Sequence, residues 1–577
     1  LRAFNGQQAL NLTTFTHDGA WVWRDNGELV AVSGVTEPLR WRGWVRGALT
    51  LDLLAHPWSG KVRVQIGDQA QELDLYAETA RSRTLTLMPS PPLWTRAQQG
   101  VLWLADIVSF GALLTGALLL TATWRPQARP FVLAWHWYAL PCIVVWPFTL
   151  LVFWPGLMSL DSVDQWTQML SGRYTDAHPA FHTLTMRVLT LLWLSPAAVA
   201  LAQIGALALA FGLVLRELAL LGVGKWVQIV LTALFALSPV NNLMVITLWR
   251  DIPYAIAMLF VFWSLLRVWR TDGAWLSSWR ALAAIGAALA ALALYRHNGA
   301  PTALLILPAF LLVRQQAHWR QVAIIGGVAL ALVLLVKVGV FRVLNVAPMT
   351  APSLVARISM MHQIGAVVAD PFSRIEDRDR ALLENLFSLD EWRRRYTCYN
   401  VNAYAFAMPH PLLEQRLSEI EIESVWLRLA IAHPVSIVRH QLCQTSLIWR
   451  VKQPDDAYIF IFYPEIFPND AGITSASVFP GIRSMYLSWV AAIFPLEWIW
   501  VWRPALYLYL ALFCVAIACI RCRSWCVAGF AQPVVSQSLV WLLILPAQDF
   551  RYQYPVYVIA LTAVCLIFIT CDASRQR

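Results

Sequence analysis

The chain predicts a mainly α, polytopic membrane protein, and three observations carry that prediction. Hydrophobic residues make up 58% of it and charged residues 14%, where a soluble domain carries about 25% charged residues. Apolar runs long enough to cross a ~30 Å hydrocarbon core recur from residue 101 onward. The 30 Trp residues suit interfacial belts, where an amphipathic ring sits at headgroup level.

Residues 1–98 differ in pattern from the remainder of the chain. Trp21-Val22-Trp23, Leu49-Thr50-Leu51-Asp52-Leu53 and Val62-Arg63-Val64-Gln65-Ile66 alternate as half-buried strands do. Asp25-Asn26-Gly27 and Gly67-Asp68 read as hairpin turns, so a β-sandwich-like domain is expected. Its Trp residues pack a core or hold a sugar ring. About eleven transmembrane helices are then expected, near 101–123, 131–154, 195–215, 226–246, 251–269, 281–296, 299–313, 321–343, 504–520, 526–546 and 553–571. Residues 180–194, punctuated by Arg187, suit the interface. The polar segment 345–480, with Glu376-Asp377, Arg393-Arg394-Arg395 and a helical stretch Pro411–Leu429, reads as an α-rich extramembrane domain. The implied organisation is a β-rich domain (1–98), a transmembrane module (99–344) carrying a loop at 155–194, the polar domain (345–480) and a second transmembrane module (481–577).

The net charge of +10 is spread over short loops. It speaks for topology and anionic lipid rather than nucleic acid, since no long basic block or RNA-binding motif is present. One set of loops holds Arg125 and Arg129, Arg216 and Lys225, Arg267, Arg270 and Arg280, Arg314 and Arg320, Arg521 and Arg523, and Arg575 and Arg577. The opposite set holds Arg173, Arg250, Arg296 and Arg551, one each. The positive-inside rule assigns the first set to the cytoplasm. The β-rich domain, the loop after 154 and the polar domain then share the outer side. The first residue is Leu, so an initiating segment such as a signal anchor is expected ahead of it.

Of the nine Cys, Cys142, Cys514, Cys519 and Cys565 lie in apolar runs and read as inert fillers. Cys519-x2-Cys522-x3-Cys526 has a metal-like spacing without His or a partner pair. Cys398 and Cys443 fall in the polar segment, where an oxidising compartment would allow a disulfide.

Four outer loops gather ionisable residues. The first runs from Asp161, Asp164 and Gln165 through Arg173 to Asp176, His178 and His182. The others are Trp249-Arg250-Asp251, Tyr295-Arg296-His297-Asn298-Gly299 and Gln548-Asp549-Phe550-Arg551-Tyr552. Such residues cost about 2.5–3.5 kcal/mol each at a helix centre and less near its end. Collected on one face they suggest group transfer to a hydroxyl or amine. A carboxylate takes the acceptor's proton, and guanidinium groups grip a phosphate leaving group. No GxxxxGK[ST] or strand-borne GxGxxG is present, so a sugar on a polyprenyl phosphate fits better than a nucleotide donor.

S-x-D-S after the second span, H-P some seventeen residues beyond its Asp, W-R-D at a span start, R-x-N-G and R-Y together resemble the bacterial GT-C membrane glycosyltransferases. The resemblance covers roughly 130–345 and 500–571. It implies a GT-C type fold and an inverting displacement with Asp161 as catalytic base. Asp251 would help position the acceptor or a metal, and Arg296 and Arg551 would meet the donor phosphate. His178 and His182 would line the acceptor entrance. Ser162 follows Asp161 where related enzymes carry a second acid, which leaves a divalent metal open.

Plainer readings stand beside these. Asp161 and Asp164 resemble a capping box. Arg250-Asp251 suits an internal ion pair, Arg296 and Arg551 suit snorkelling to headgroups, and His178 before Pro179 suits a turn. Ala281–Ala293 suits close helix packing.

The function expected is transfer of a sugar from a polyprenyl-phosphate donor to an envelope glycan, lipid or protein, at the periplasmic face of a bacterial inner membrane. Asp161 is the expected base. Asp164, Gln165, His178, His182 and Asp251 position the acceptor, and Arg250, Arg296, Asn298, Arg551 and Tyr552 bind the phosphate. The alternatives are a flippase of lipid-linked sugar and a glycan polymerase or ligase.

Overall fold

The computed structural model describes residues 2–5, 8–9, 15–16, 21–23, 29–31, 38–41, 49–66, 69–87, 131–313, 319–348, 352–370, 373–452, 463–489 and 501–571. The chain divides into two compact units, Leu1–Ala117 and Leu118–Arg577. The span expected at 101–123, the turns at Asp25-Asn26-Gly27 and Gly67-Asp68, and Arg125, Arg129, Arg314, Arg575 and Arg577 lie outside the described residues.

In the first unit the alternating stretches do form strands. Strands β1 (Arg2–Asn5), β2 (Gln8–Ala9), β5 (Leu49–Ala55) and β8 (Arg81–Leu87) form one antiparallel sheet in the order β2-β1-β5-β8. β3 (Trp21–Trp23) pairs with β4 (Leu29–Ala31), and β6 (Lys61–Ile66) with β7 (Gln69–Asp74). The described strands are therefore three separate sheets, and a sandwich of two stacked layers is not established by them. Their packed core is small, with Ala55, Leu75 and Ala77 meeting Leu53, Val62 and Leu73.

The second unit is helical and makes the protein mainly so, at 67% helix. Among the described residues, seven helices are long and apolar enough to cross a membrane: Trp135–Val152, Pro196–Leu220, Asp251–Arg270, Trp319–Val343, Pro504–Cys522, Trp525–Ile544 and Phe550–Phe568. The stretch expected at 226–246 is instead two helices, Lys225–Leu237 and Pro239–Val245, bent by 52°. Pro239 has no N–H and cannot continue the ladder. The carbonyls freed at the break are taken by side chains: Asn241 Nδ2 donates to Phe235 O and Asn242 Nδ2 to Ala236 O. A break at membrane depth is tolerated only where such partners exist. Trp279–Tyr295, at 17 residues, is only about 25 Å long. The stretch at 299–313 divides at Pro308 into Gly299–Ile306 and Ala309–Leu312.

A continuous apolar core runs through this unit, with Trp146, Phe211, Phe235, Phe262, Phe530 and Tyr554 among its largest buried side chains. The polar segment after 345 is α-rich and has a core of its own around Met361, Ile364, Trp392, Tyr404, Leu413 and Val425. The helix expected over Pro411–Leu429 is two, His410–Glu419 and Ile422–Ala432, because Glu421 takes a left-handed φ of 49° between them. Cys398 and Cys443 form a disulfide there, with Cα atoms 5.9 Å apart. Cys522 is paired with Cys571, so the spacing Cys519-x2-Cys522-x3-Cys526 lacks its central thiolate. Cys142, Cys514 and Cys565 are buried and unpaired.

Candidate active site

The site is built on irregular backbone that other elements satisfy. After the span Trp135–Val152 the chain turns at Gly156, whose φ of 123° suits only a residue without a Cβ. Leu157 N then donates to Ile246 O at 3.0 Å and Leu248 N to Leu157 O at 3.0 Å. Gln203, buried in the span Pro196–Leu220, donates to Val245 O at 2.9 Å and Thr247 O at 3.0 Å. Ser162 Oγ reaches Leu248 O at 2.9 Å and Trp249 Nε1 reaches Ser159 Oγ at 2.7 Å. These bonds lock the helix Leu160–Ser171 against residues 246–250 and so set Asp161 beside Arg250.

Asp161 occupies the second position of that helix, and Ser159 is its N-cap residue, so the capping-box reading does not describe it. Its carboxylate accepts from Arg551 Nη1 at 2.9 Å. His178 Nε2 lies 3.9 Å away and Arg250 Nη2 4.0 Å away. Three loops far apart in sequence thus meet at one carboxylate whose side chain keeps 27% of its surface open. Arg551 Nε also binds Asp549 Oδ2 at 2.6 Å, and its guanidinium lies over the Trp249 ring at 5.0 Å. Arg250 Nη1 contacts His178 Nδ1 at 2.6 Å.

A second group lies deeper. Arg296 and Asp251 form an ion pair, with Asp251 side chain 1% and Arg296 side chain 6% exposed. Arg296 Nε donates to Asn298 Oδ1 at 2.9 Å. The guanidinium lies over Trp541 at 5.0 Å and Tyr552 at 4.8 Å, and those two rings stack on each other. The turn that lays Arg296 down requires Gly299, where any Cβ would collide with Leu292 O.

The electrostatics follow the packing. Burial alone would raise the Asp161 pKa, but Arg551, Arg250 and His178 outweigh it and hold the carboxyl well below the ordinary carboxylate range. Asp549 is buried more completely, and that raises it against the pull of Arg551. His178 is pushed down to about 4 by burial and by Arg250, so it is neutral near pH 7. Among the three guanidinium groups, Arg551 and Arg296 each close on a carboxylate at short range. Arg250 faces a neutral imidazole and stands 4.0 Å from Asp161.

Some expected residues are placed otherwise. Asp164 is exposed and accepts from Gln168 Nε2 at 2.8 Å. Gln165 is buried and ties the loop by donating to Pro179 O at 3.3 Å and Thr183 Oγ1 at 3.1 Å. His182 is 1% exposed, against Leu248 O and the Tyr295 ring, so it supports the loop and lines no entrance. Lys337 was not singled out by sequence. It donates to Asp176 Oδ2 at 3.1 Å from a π-helical turn, Leu335–Val340, inside a span. The available signal was a lone cation in an apolar run, together with the tendency of π-bulges to sit at functional sites. Asp176 Oδ1 in turn accepts from Ala180 N at 3.0 Å, and His297 Nε2 contacts Asp176 O at 3.0 Å.

Among the described residues, no three His, Cys, Asp or Glu side chains converge as ligands for a metal ion. The fold and site define a mainly helical protein, compatible with a polytopic membrane protein, with a part-open carboxylate–guanidinium cluster at one end of its long apolar helices. Compared with known proteins, the chain matches no family model, no curated protein and no solved structure.

Proposed function

We propose that the protein is a GT-C type inverting glycosyltransferase. It would work at the periplasmic face of a bacterial inner membrane and use a polyprenyl-phosphate sugar as donor. The observation that carries this reading is the convergence of Arg551, Arg250 and His178 on Asp161. The proposed membrane topology has eleven crossings: the seven long helices, the bent pair, the two shorter helices from 279 to 312, and 101–123.

In this reading the donor phosphate takes the donors of Arg250 and Arg551, which suit a phosphate's oxygens bidentately. That withdraws positive charge from Asp161 and raises its basicity as the donor binds. The acceptor oxygen then attacks the anomeric carbon. A C–O bond forms, the bond to phosphate breaks, its electron pair leaves on the polyprenyl phosphate, and the acceptor proton passes to Asp161. His178 orients the acceptor. Arg296 and Asp251 neutralise each other below and hold Tyr552 and Asn298 in place. Membrane lipid surrounds the spans, and the acceptor is an envelope glycan, lipid or protein.

The test is mass spectrometry of envelope glycans and lipid-linked sugars in cells with and without the protein. Loss of one sugar from a glycan, with its lipid-linked precursor accumulating at the outer leaflet, supports the enzyme. One observation favours a second reading: the bent pair Lys225–Leu237 and Pro239–Val245 is the kind of broken helix that transporters use. Precursor trapped in the inner leaflet would select that flippase reading instead.

A further inference from the structure

The helix Pro434–Gln444 is amphipathic in the reverse sense. Its buried residues are polar: Ser436 at 7% exposure, His440 at 2% and Gln444 at 7%. Apart from Arg439, its outward residues are apolar: Val435 at 67%, Val438 at 57% and Leu442 at 52%. Each set recurs at steps of three or four, which is one helix face. Each of the three buried polar side chains has a partner inside the protein, although His440 Nε2 has none. Ser436 Oγ donates to Asp370 Oδ2 at 2.6 Å, the Tyr396 hydroxyl meets His440 Nδ1 at 3.1 Å, and Gln444 Nε2 meets His362 Nδ1 at 3.3 Å. The outward apolar row begins earlier, at Leu427 and Ile431 of the helix Ile422–Ala432. In water a helix would present the opposite arrangement, because apolar surface is stabilised by leaving water.

Two further features say what covers this face. It continues onto helix surface that the membrane itself must cover. Gln441 Nε2 donates to Leu542 O at 2.6 Å, in the helix Trp525–Ile544, where Leu539, Leu543 and Ile544 are also exposed. Beside it, Tyr509 of the helix Pro504–Cys522 contacts Trp449 O, and Trp449 Nε1 donates to Leu442 O at 3.2 Å. This places a Trp and a Tyr at the junction, as in an interfacial belt. The flanking charges are basic, with Arg439, Arg450 and Lys452 exposed, which complements anionic headgroups.

We infer that the helix Pro434–Gln444, with the outward row of Ile422–Ala432, lies on the phospholipid surface of the same bilayer, its apolar side in the headgroup–acyl boundary at the Asp161 end of the spans. This rests on the membrane reading and not on glycosyl transfer. The α-rich segment is then a lipid-seated element rather than a domain suspended in solvent.

The test uses the full chain in vesicles of phosphatidylethanolamine and phosphatidylglycerol containing radiolabelled phospholipid. A photoreactive benzoylphenylalanine is placed singly at 435, 438 or 442, with Leu330 in the span Trp319–Val343 as a lipid control and exposed Gln415 as a water control. The expected result is lipid adducts at 435, 438 and 442 about tenfold above those at 415 and close to those at 330. Lipid adducts at 330 but only background at the three positions overturns the inference and leaves the membrane reading standing. Adducts of twice the chain mass would assign the face to a second copy and overturn it too. Background at 330 as well would overturn both.

Discussion

The helix Asp251–Arg270 carries a charge cluster at each end, and the two are built differently. Its 20 residues span about 30 Å, the thickness of a hydrocarbon core. At its end, Glu217 is 1% exposed and takes both Arg270 at 2.5 Å and Arg267 at 3.5 Å. Arg267 is also held between the Trp263 and Trp275 rings, at 5.3 and 5.0 Å. Two adjacent helices and one short connection supply everything, and the carboxylate is sealed. At its start, Asp161, Asp549, Asp251, Arg250, Arg296, Arg551 and His178 come from four separate loops. Asp161 stays part open, and a neutral imidazole stands beside a guanidinium. The first arrangement anchors two helices. The second has a reachable anion beside cationic donors, the arrangement on which the proposed transfer rests.

The largest expected effect tests that contrast directly. Asp161→Asn should lower transfer at least about 100-fold with normal membrane insertion, since a positioned base contributes about 10²–10⁴-fold. Glu217→Gln should leave transfer nearly intact and cost about 2 kcal/mol of stability, the lower side of a buried pair because its Arg partners are part open. Wild-type transfer by Asp161→Asn would remove the base assignment.

Arg551→Lys comes next. Lysine cannot serve Asp161 and Asp549 together through a planar fork, so kcat/KM should fall about 10- to 100-fold, with the KM for the donor rising. Steady-state kinetics with donor varied reads this, and an unchanged donor KM would count against the phosphate role.

A third prediction concerns acid. The α-rich segment at the Asp161 end buries His362 and His440, whose pKa values burial pushes down to about 4 and about 3. Both are neutral in the fold and bind protons more readily when unfolded. Their stabilisation is complete above about pH 6.5 and is lost as the pH falls toward 4, at about 1.4 kcal/mol per pH unit per histidine. Thermal unfolding of this segment between pH 7 and pH 4.5 should show the loss, and His440→Gln should flatten it.

The smallest effect distinguishes the two ends by compartment. Disulfides persist where the compartment is oxidising. With the Asp161 end outside, Cys398 and Cys443 should resist thiol labelling in intact cells. The Cys522–Cys571 pair, at the far ends of Pro504–Cys522 and Phe550–Phe568, would then face the reducing cytoplasm, so that disulfide should open and both residues should label as thiols from that side. Mass-tag alkylation reads the number of free thiols, and the reverse pattern would invert the topology.

Much of this was legible in the chain. Apolar runs between 131 and 571 mark most helices, because crossing lipid requires length and composition that few sequences carry by accident. Arg250, Arg296 and Arg551 were readable as a set, because ionisable groups at span ends are costly, whereas Arg173 of the first loop lies exposed. Less legible was which neighbour each residue chose. Asp164 and Asp161 are three apart, yet one bonds locally to Gln168 and the other meets Arg551, 390 positions away. Lys337 was hidden in its apolar run, and the bend before Pro239 was readable only once Asn241 and Asn242 were seen to take the freed carbonyls.

Composition and periodicity by themselves determined that the chain buries long apolar helices, begins with alternating strands and carries a polar α-rich insert, because those properties depend on residues near one another in sequence. Only the tertiary structure decided that Asp161 meets Arg551 and Arg250, that Arg296 spends itself on Asp251, and that the helix Pro434–Gln444 turns its apolar side outward. Those outcomes depend on contacts between segments tens to hundreds of residues apart, whose geometry no local pattern encodes.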